Sequence, residues 1–402
     1  MADATDLLVI GGGPAGLATA IAARLAGMSV RVVERSRPPV DKACGEGLMP
    51  DAVARLGELG VALAPGEGWR FRGIRYLDGD TVAEGVFPRA GGLGVRRLHL
   101  HQALARRAAE LGVDLCWGVT VHGLAPVEPA PGPRAAPRPR ATAPQPAAPP
   151  GARLLVAGAY TDRAGRALAA ARWVVGADGL RSRVRGWAGL EGPPARRRRF
   201  GVRRHFACRP WSDLVEVHWG PGCEAYVTQV GPDEVGVAML WSDRKARFDD
   251  LLAHFPALAA RLDGAPAASR DRGAGPLLQR PRGVCRGNVA LVGDASGYFD
   301  AITGEGLAVA LHQSAALIEA LAAGDLGRYA ARHRRIGRLP DNLTALLLAV
   351  ERRPWLRHRM VRALAAEPAL FSRLLGIHAR ALPPARLGID GALRLVYRLV
   401  TA

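Results

Sequence analysis

Apolar residues gather in short runs at three points of the chain, "DLLVI" (6–10), "WVVGAD" (173–178) and "NVALV" (288–292). Runs this short, closed off by glycine or aspartate, predict strands buried on both faces. The first and last lead into "LATAIAARLAG" (17–27) and "LAVALHQSAALIEALAAG" (307–324), where apolar positions recur at helical spacing. The middle run leads into a D-G turn at Asp178–Gly179 and a helix start capped near Ser182. "SVRVVER" (29–35) predicts a further strand directly after the first helix. Strands alternating with helices predict an α/β fold.

Other patterns fill the intervals. "VRRLHLHQALARRAAELGV" (95–113) predicts a helix, and "AYVTQVGPDEVGVAML" (225–240) a long strand. "VDLCWGVTVHGL" (113–124) and "ARLLVAGAY" (152–160) both predict strands. Between them residues 126–150 hold ten Pro and seven Ala, a composition with few backbone donors and few large groups to bury. A mobile insertion hanging from a hairpin is expected there. In "LLLAVERRPWLRHRMVRALAAEPALFSRLLGI" (346–377) Leu, Val, Trp and Met recur between charges at roughly helical spacing. That region is expected to cover a substrate cavity, and an interfacial helix facing lipid has the same pattern.

Composition narrows the field. At 402 residues the chain can bury more than one core, and 49% hydrophobic with 23% charged residues is a globular balance. The net charge of +19 comes from 53 Arg and only 2 Lys. A ratio so lopsided reads as genome composition, and no nucleic-acid-binding module is visible, so no nucleic-acid partner is expected. Residues 327–402 carry 15 Arg against 4 acids, which leaves peripheral contact with an anionic membrane open. Five scattered cysteines without a CxxC pair fit a reducing compartment. The opening runs straight into a strand and no apolar run reaches membrane-spanning length, so a cytoplasmic location is expected.

The first turn carries the chemistry. "GGGPAG" places Gly11, Gly13 and Gly16 as G-x-G-x-x-G between a strand and a helix, and Glu34 ends the next strand. Such glycines permit the tight turn, the backbone's approach to a pyrophosphate and close helix–strand packing. The phosphates would face unpaired N–H groups at the helix N-terminus, with Glu34 placed to accept from an adenosine ribose. "GDASGYFDAITGEG" (293–306) is a second glycine-rich turn, headed by Asp294.

Together with "WVVGADGLRSRVR" (173–185), these motifs resemble the three-part pattern of FAD-dependent oxidoreductases of the para-hydroxybenzoate hydroxylase fold, over about residues 5–330. That group holds hydroxylases, epoxidases, halogenases and geranylgeranyl reductases. The resemblance implies a Rossmann-like FAD-binding domain in three parts (1–71, 95–190 and 275–326). A β-sheet substrate domain (72–94 and 191–274) is interleaved with it, and a helical region (327–402) follows. It implies noncovalent FAD held by Gly11, Gly13, Ala15, Gly16, Glu34, Arg35, Gly45, Arg97, Val121, Asp178, Asp294, Gly304, Gly306 and Leu307. Asp294 corresponds to the carboxylate that bonds the ribityl chain, and the helix from Leu307 points its positive end at the flavin. Arg97, with Arg96 as the competing assignment, corresponds to an arginine that reaches toward the ring.

"DKACGEGLMPDAV" (41–53) resembles the flavin-side segment of the geranylgeranyl reductases, which makes Cys44 a candidate catalytic group. Tyr226 matches the tyrosine of their Y-x-W-x-F-P stretch, but the tryptophan and proline are absent. With no second nucleotide-binding turn, NAD(P)H is expected as a transient reductant. The leading expectation is a monooxygenase hydroxylating or epoxidising a hydrophobic aromatic, polyketide-like or lipid-like substrate. The alternative is a flavin-dependent C=C reductase acting on a prenyl or lipid chain. A halogenase, whose lysine-bearing motif is not found, and a non-enzymatic flavin-binding protein rank below both. His312, inside an apolar helix, is expected to be a core residue rather than a base.

Overall fold

A computed structural model of the chain describes residues 5–124, 171–194, 198–242 and 246–401. β1 (Thr5–Ile10) stands inside a six-stranded sheet. Its order is β15 (Cys285–Arg286), β16 (Val289–Leu291), β9 (Ala171–Gly176), β1, β2 (Val30–Glu34), β8 (Asp114–Trp117). All its pairings except β15–β16 are parallel. The unbroken apolar run of β1 follows from this central place. Leu7 and Val9 pack on one face with α1 (Pro14–Leu25), α2 (Pro50–Glu58), α3 (Arg97–Glu110) and α7 (Gly306–Ala322). Leu8 and Ile10 point to the other face, towards α4 (Arg183–Trp187). Leu7–Ile10, covered on both sides, is apolar throughout, and the polar Thr5 and Asp6 sit at the half-buried start of the strand.

The second sheet has seven strands: β14 (Arg272–Ala274), β10 (Arg199–Phe206), β13 (Glu234–Ser242), β12 (Cys223–Gly231), β11 (Leu214–Gly220), β5 (Gly73–Asp78) and β6 (Thr81–Val86). Its pairs are antiparallel except β11 with β5. Two short helices, α5 (Phe248–Leu252) and α6 (Pro256–Leu262), seal one end through Phe248, Leu251 and Leu258. A small sheet of β3 (Gly47–Leu48), β7 (Gly92–Gly94) and β4 (Trp69–Phe71) joins the two units. It presses on β12 so closely that a Cβ on Gly94 would lie 1.7 Å from the Gln229 carbonyl oxygen.

The C-terminal region is helical: α8 (Leu326–Glu351), α9 (Pro354–Ala366), α10 (Pro368–His378) and α11 (Gly388–Thr401). Pro354 and Pro368 open α9 and α10, where a missing N–H costs nothing. The helices lie over the outer strands of the large sheet, where Phe371 meets Tyr76 with ring centroids 5.0 Å apart. Arg357 donates from Nε to Asp78 at 3.1 Å beneath them.

Two expectations need correction. Residues 225–240 are not one strand but the hairpin β12–β13, because Gly231-Pro232-Asp233 turns the chain and a proline cannot donate to the ladder. The strand expected over 113–124 stops at Trp117, where Gly118 takes a positive φ of 75°. The insertion at 126–150 and the strand at 152–160 lie outside the described residues.

α8 is tied to the parallel sheet by Tyr329, fully buried, whose hydroxyl donates to the Leu291 carbonyl at 2.6 Å. Tyr329→Phe removes that bond and keeps the ring. The expected cost is about 1 kcal/mol, read as a lower urea midpoint at unchanged slope.

Candidate cofactor and substrate site

A cavity of about 1210 Å³ runs from the glycine turn after β1 to the C-terminal helices. At its first end the chain is pulled tight. Gly11 has φ 114°, and a Cβ on Gly16 would stand 1.9 Å from the Gly11 carbonyl oxygen. The α1 N-terminus has no side-chain cap, so its first N–H groups remain available beside the cavity wall of Gly13, Pro14 and Ala15. Buried Glu34 accepts from Gly12 N and Ser36 N, each at 2.9 Å, and each oxygen keeps a second acceptor site. Arg35 and Val121 also line this end. Asp178 lines it too, but its carboxylate accepts from Ser182 Oγ at 2.5 Å and Arg183 N at 2.7 Å, anchoring the start of α4.

Further in, Asp294 opens into the cavity from the turn after β16. Burial pushes its carboxyl up, against the pull of Arg97 and Lys42. Gly304, Gly306 and Leu307 line the same region at the start of α7. Arg96 and Arg97 separate cleanly. Arg96 Nη1 pairs with Glu234 at 2.9 Å and lies outside the cavity lining, whereas Arg97 lines the cavity; the Nε of each is buried without a protein hydrogen-bond partner. Lys42, which sequence reasoning passed over, lines the cavity as well. Burial, reinforced by Arg97, pushes its ammonium below the usual range, and Glu34 and Asp294 pull it back.

The 41–48 loop is held by Glu46, the second residue missed in the sequence. It takes a left-handed φ of 60° and is buried. Its Oε1 accepts from Arg97 N at 2.8 Å, and its Oε2 lies 2.5 Å from His205 Nε2 on β10. Thr228 Oγ1 on β12 donates to the Gly45 carbonyl at 2.9 Å, so Gly45 is fixed by its backbone. Cys44 Sγ accepts from Glu46 N at 3.4 Å, and burial pushes the thiol up, which favours the neutral thiol over the thiolate. Tyr226 donates to the Ile302 carbonyl at 3.0 Å, and burial holds its phenol well above the ordinary range.

Beyond these groups the walls are apolar, among them Ile74, Val217, Leu240, Leu347, Met360 and Phe371. Glu305 closes the loop behind Thr303, with Oε2 3.3 Å from His378 Nδ1 on α10. Burial raises the Glu305 carboxyl to about 8 and lowers the His378 imidazole to about 4. His312 is half-buried and faces Asp51 at 3.3 Å, outside the cavity lining.

The uncapped helix start, the tight glycines and the unpartnered Arg97 Nε fit an anionic dinucleotide, and residues 4–67 match the FAD binding domain family. Residues 4–67 form an FAD-binding domain, and the chain as a whole has the fold of the para-hydroxybenzoate hydroxylase group of flavoproteins. Among solved structures, this flavoprotein superposes over all of both chains on a flavoprotein/dehydrogenase from Cytophaga hutchinsonii, with TM-score 0.78 and 18% identity. It also superposes on OxyS anhydrotetracycline hydroxylase from Streptomyces rimosus, with TM-score 0.65 and 22% identity, over 94% of this chain and 76% of that one. Menaquinone reductase of Mycobacterium tuberculosis is 36% identical over 127 residues, 30% of this chain and 31% of the relative, so the match spans about a third of that protein's length. Digeranylgeranylglycerophospholipid reductase 2 of Methanosphaera stadtmanae is 25% identical over 76% of this chain and 75% of its own. 6-Methylpretetramide 4-monooxygenase of Streptomyces rimosus is 46% identical over 81 residues, 20% of this chain and 18% of the relative.

Arg97→Ala is expected to weaken FAD retention about tenfold or more, as loss of a charged hydrogen-bond donor implies. Arg96→Ala, which breaks a pair with Glu234, should leave it nearly unchanged; FAD titration of the apoprotein checks both. For Glu305 the folded protein keeps a proton that the unfolded chain has lost, so its contribution falls as pH rises from the ordinary carboxyl range towards 8. His378 acts oppositely, but only below the ordinary imidazole range. Melting temperature is therefore expected to fall between about pH 6.5 and 8, and less steeply in Glu305→Gln.

Proposed function

We propose that this flavoprotein is an NAD(P)H-dependent monooxygenase that hydroxylates or epoxidises a hydrophobic substrate bearing a long apolar part. Bound FAD supplies the redox chemistry, and this chain's residues supply orientation and dryness. Gly11, Gly13, Glu34, Arg97 and Asp294 would hold the cofactor along the polar end of the cavity. Ile74, Val217, Leu240 and Phe371 exclude water from the apolar end. A single drug-sized ligand occupies roughly 300–1,000 Å³, so about 1210 Å³ accommodates a cofactor with part of a substrate beside it. Among the described residues one strand–glycine turn–helix unit has the dinucleotide pattern, which supports NAD(P)H as a visiting reductant.

The observation that carries the reading is Thr228. It stands two residues after Tyr226 on β12, where the reductase stretch has tryptophan, and its small side chain touches the Gly45 carbonyl. A tryptophan there would fill the wall opposite the 41–48 loop, whereas threonine leaves room for a ring or a bulky head. A second reading, C=C reduction of a prenyl or lipid chain, is favoured by Cys44, a protonated thiol on a loop resembling the reductase segment. The two reductase relatives favour it too.

The test supplies NADPH and chain-bearing phenols or prenylated substrates, with and without O2, and follows product mass. Incorporation of one oxygen atom from labelled O2 is expected, with product formation lost in anaerobic samples. A product carrying two added hydrogens, formed equally well without oxygen, would transfer the assignment to the reductase.

A further inference from the structure

α11 carries an apolar face that no described part of the chain covers. Ile389, Leu393, Val396 and Val400 are 79%, 63%, 58% and 66% exposed, and they follow each other at helical spacing. Only three large apolar side chains exposed elsewhere lie before residue 340 among the described residues: Leu25, Trp69 and Val82, each far from the others in sequence. Contiguous exposed apolar surface on a helix marks a contact with another phase or molecule. The exposed charges on these helices are mostly positive. Arg359, Arg362, Arg373, Arg386 and Arg394 are exposed on α9 to α11 and the turn between them, against Asp390.

The helix is fixed in place. Arg398 donates to Glu367 through Nε at 3.1 Å and Nη2 at 2.9 Å, which pins α11 to the junction of α9 and α10. The cavity reaches the flank of this face: Leu399 lines its wall, as does Leu387 just before the helix. Leu346 on α8 lines the same cavity and is 59% exposed, so the cavity meets the surface there.

We infer that α11 docks on an anionic bilayer, with its apolar face in the headgroup–acyl boundary and its arginines on lipid phosphates. The cavity mouth at Leu346 then opens beside the lipid, and a chain-bearing substrate enters without crossing water. Apolar residues on one face flanked by arginine are what an interfacial helix requires, and the charge selects an anionic over a zwitterionic surface. The chain-bearing substrate rests on the proposed function; the docking itself does not.

The experiment uses the FAD-loaded protein and vesicles of phosphatidylcholine, with or without about a third phosphatidylglycerol. Cosedimentation is expected with the anionic vesicles only, weakened by salt. The double variant Leu393→Asp/Val396→Asp should reduce it about tenfold or more, with FAD content and melting temperature kept. Arg386→Glu/Arg394→Glu should remove the preference for anionic lipid. Absence of vesicle binding, or equal binding by the Leu393→Asp/Val396→Asp variant, overturns the inference. A dimer in solution that this variant splits, without vesicle binding, overturns it in favour of a second copy of the chain. Should the variant lose FAD, Val400→Cys carrying an environment-sensitive dye answers instead, since its emission must shift to the blue on anionic vesicles and an unchanged emission overturns docking. Turnover of detergent-dispersed substrate is measured separately, so its failure strikes the functional reading and leaves the docking result standing.

Discussion

The site depends on one buried carboxylate. Glu46 joins three pieces of chain distant in sequence: its own loop, the start of α3 through Arg97 N, and β10 through His205. Its left-handed backbone is tolerated because those contacts over-determine it. Arg203 Nη2 lies 3.7 Å from Glu46 Oε1 and 2.6 Å from Asp41, so the buried charge is neutralised from the substrate sheet. Replacing such a group leaves its partners buried and unpaired, which costs more than the pair contributes. The position of Arg97, of Cys44 and of the wall facing the substrate all follow from this connection.

A second buried hub ties the C-terminal helices to the same frame. Arg199 on β10 pairs with Glu224 on β12, with Asp300 at 2.9 Å and with Glu351 on α8 at 3.8 Å. Three carboxylates around one guanidinium cannot all be ionised cheaply, and burial lifts Glu224 to about 8. Glu224, fully buried beside Asp300 and Glu351, is the member of the cluster held as neutral carboxyl at neutral pH. α8 meets the substrate sheet here through Glu351, whose carboxylate lies 3.8 Å from the Arg199 guanidinium.

The parallel sheet, the glycine turn, Glu34, Asp294 and the Asp178–Ser182 helix start were legible because each depends on neighbours in sequence. Strand burial, turn geometry and capping are local, and "DLLVI" or "GGGPAG" carries them complete. Spacing puts Arg97 ahead of Arg96, and the reason Arg96 turns away is its pair with Glu234, which is distant in sequence. Glu46 stands in the sequence as one letter between two glycines, and nothing local marks it as the anchor of His205. The β12–β13 hairpin reads as one strand because alternating apolar residues continue on both sides of Gly231-Pro232, although the proline is a signal against it. Lys42 had a signal too, being one of two lysines among 55 basic residues.

The cavity is electrically graded, and that gradient orients whatever binds. At the cofactor end Glu34, Lys42, Arg97 and Asp294 face one another around the space that an anionic dinucleotide would fill. Towards the helices the ionisable groups are held neutral: burial raises the Cys44 thiol and the Tyr226 and Tyr298 phenols, and brings the Tyr76 phenol to about 12. A polar or aromatic head bound there can exchange hydrogen bonds with these neutral groups, while the lining charges Arg203, Glu46 and Asp41 are already paired with one another. An apolar tail loses nothing by running past Leu347, Met360 and Phe371 to Leu399. Head towards the flavin and tail towards α11 is the arrangement in which both ends of a substrate match their surroundings, and the reverse would bury a polar head among leucines without partners.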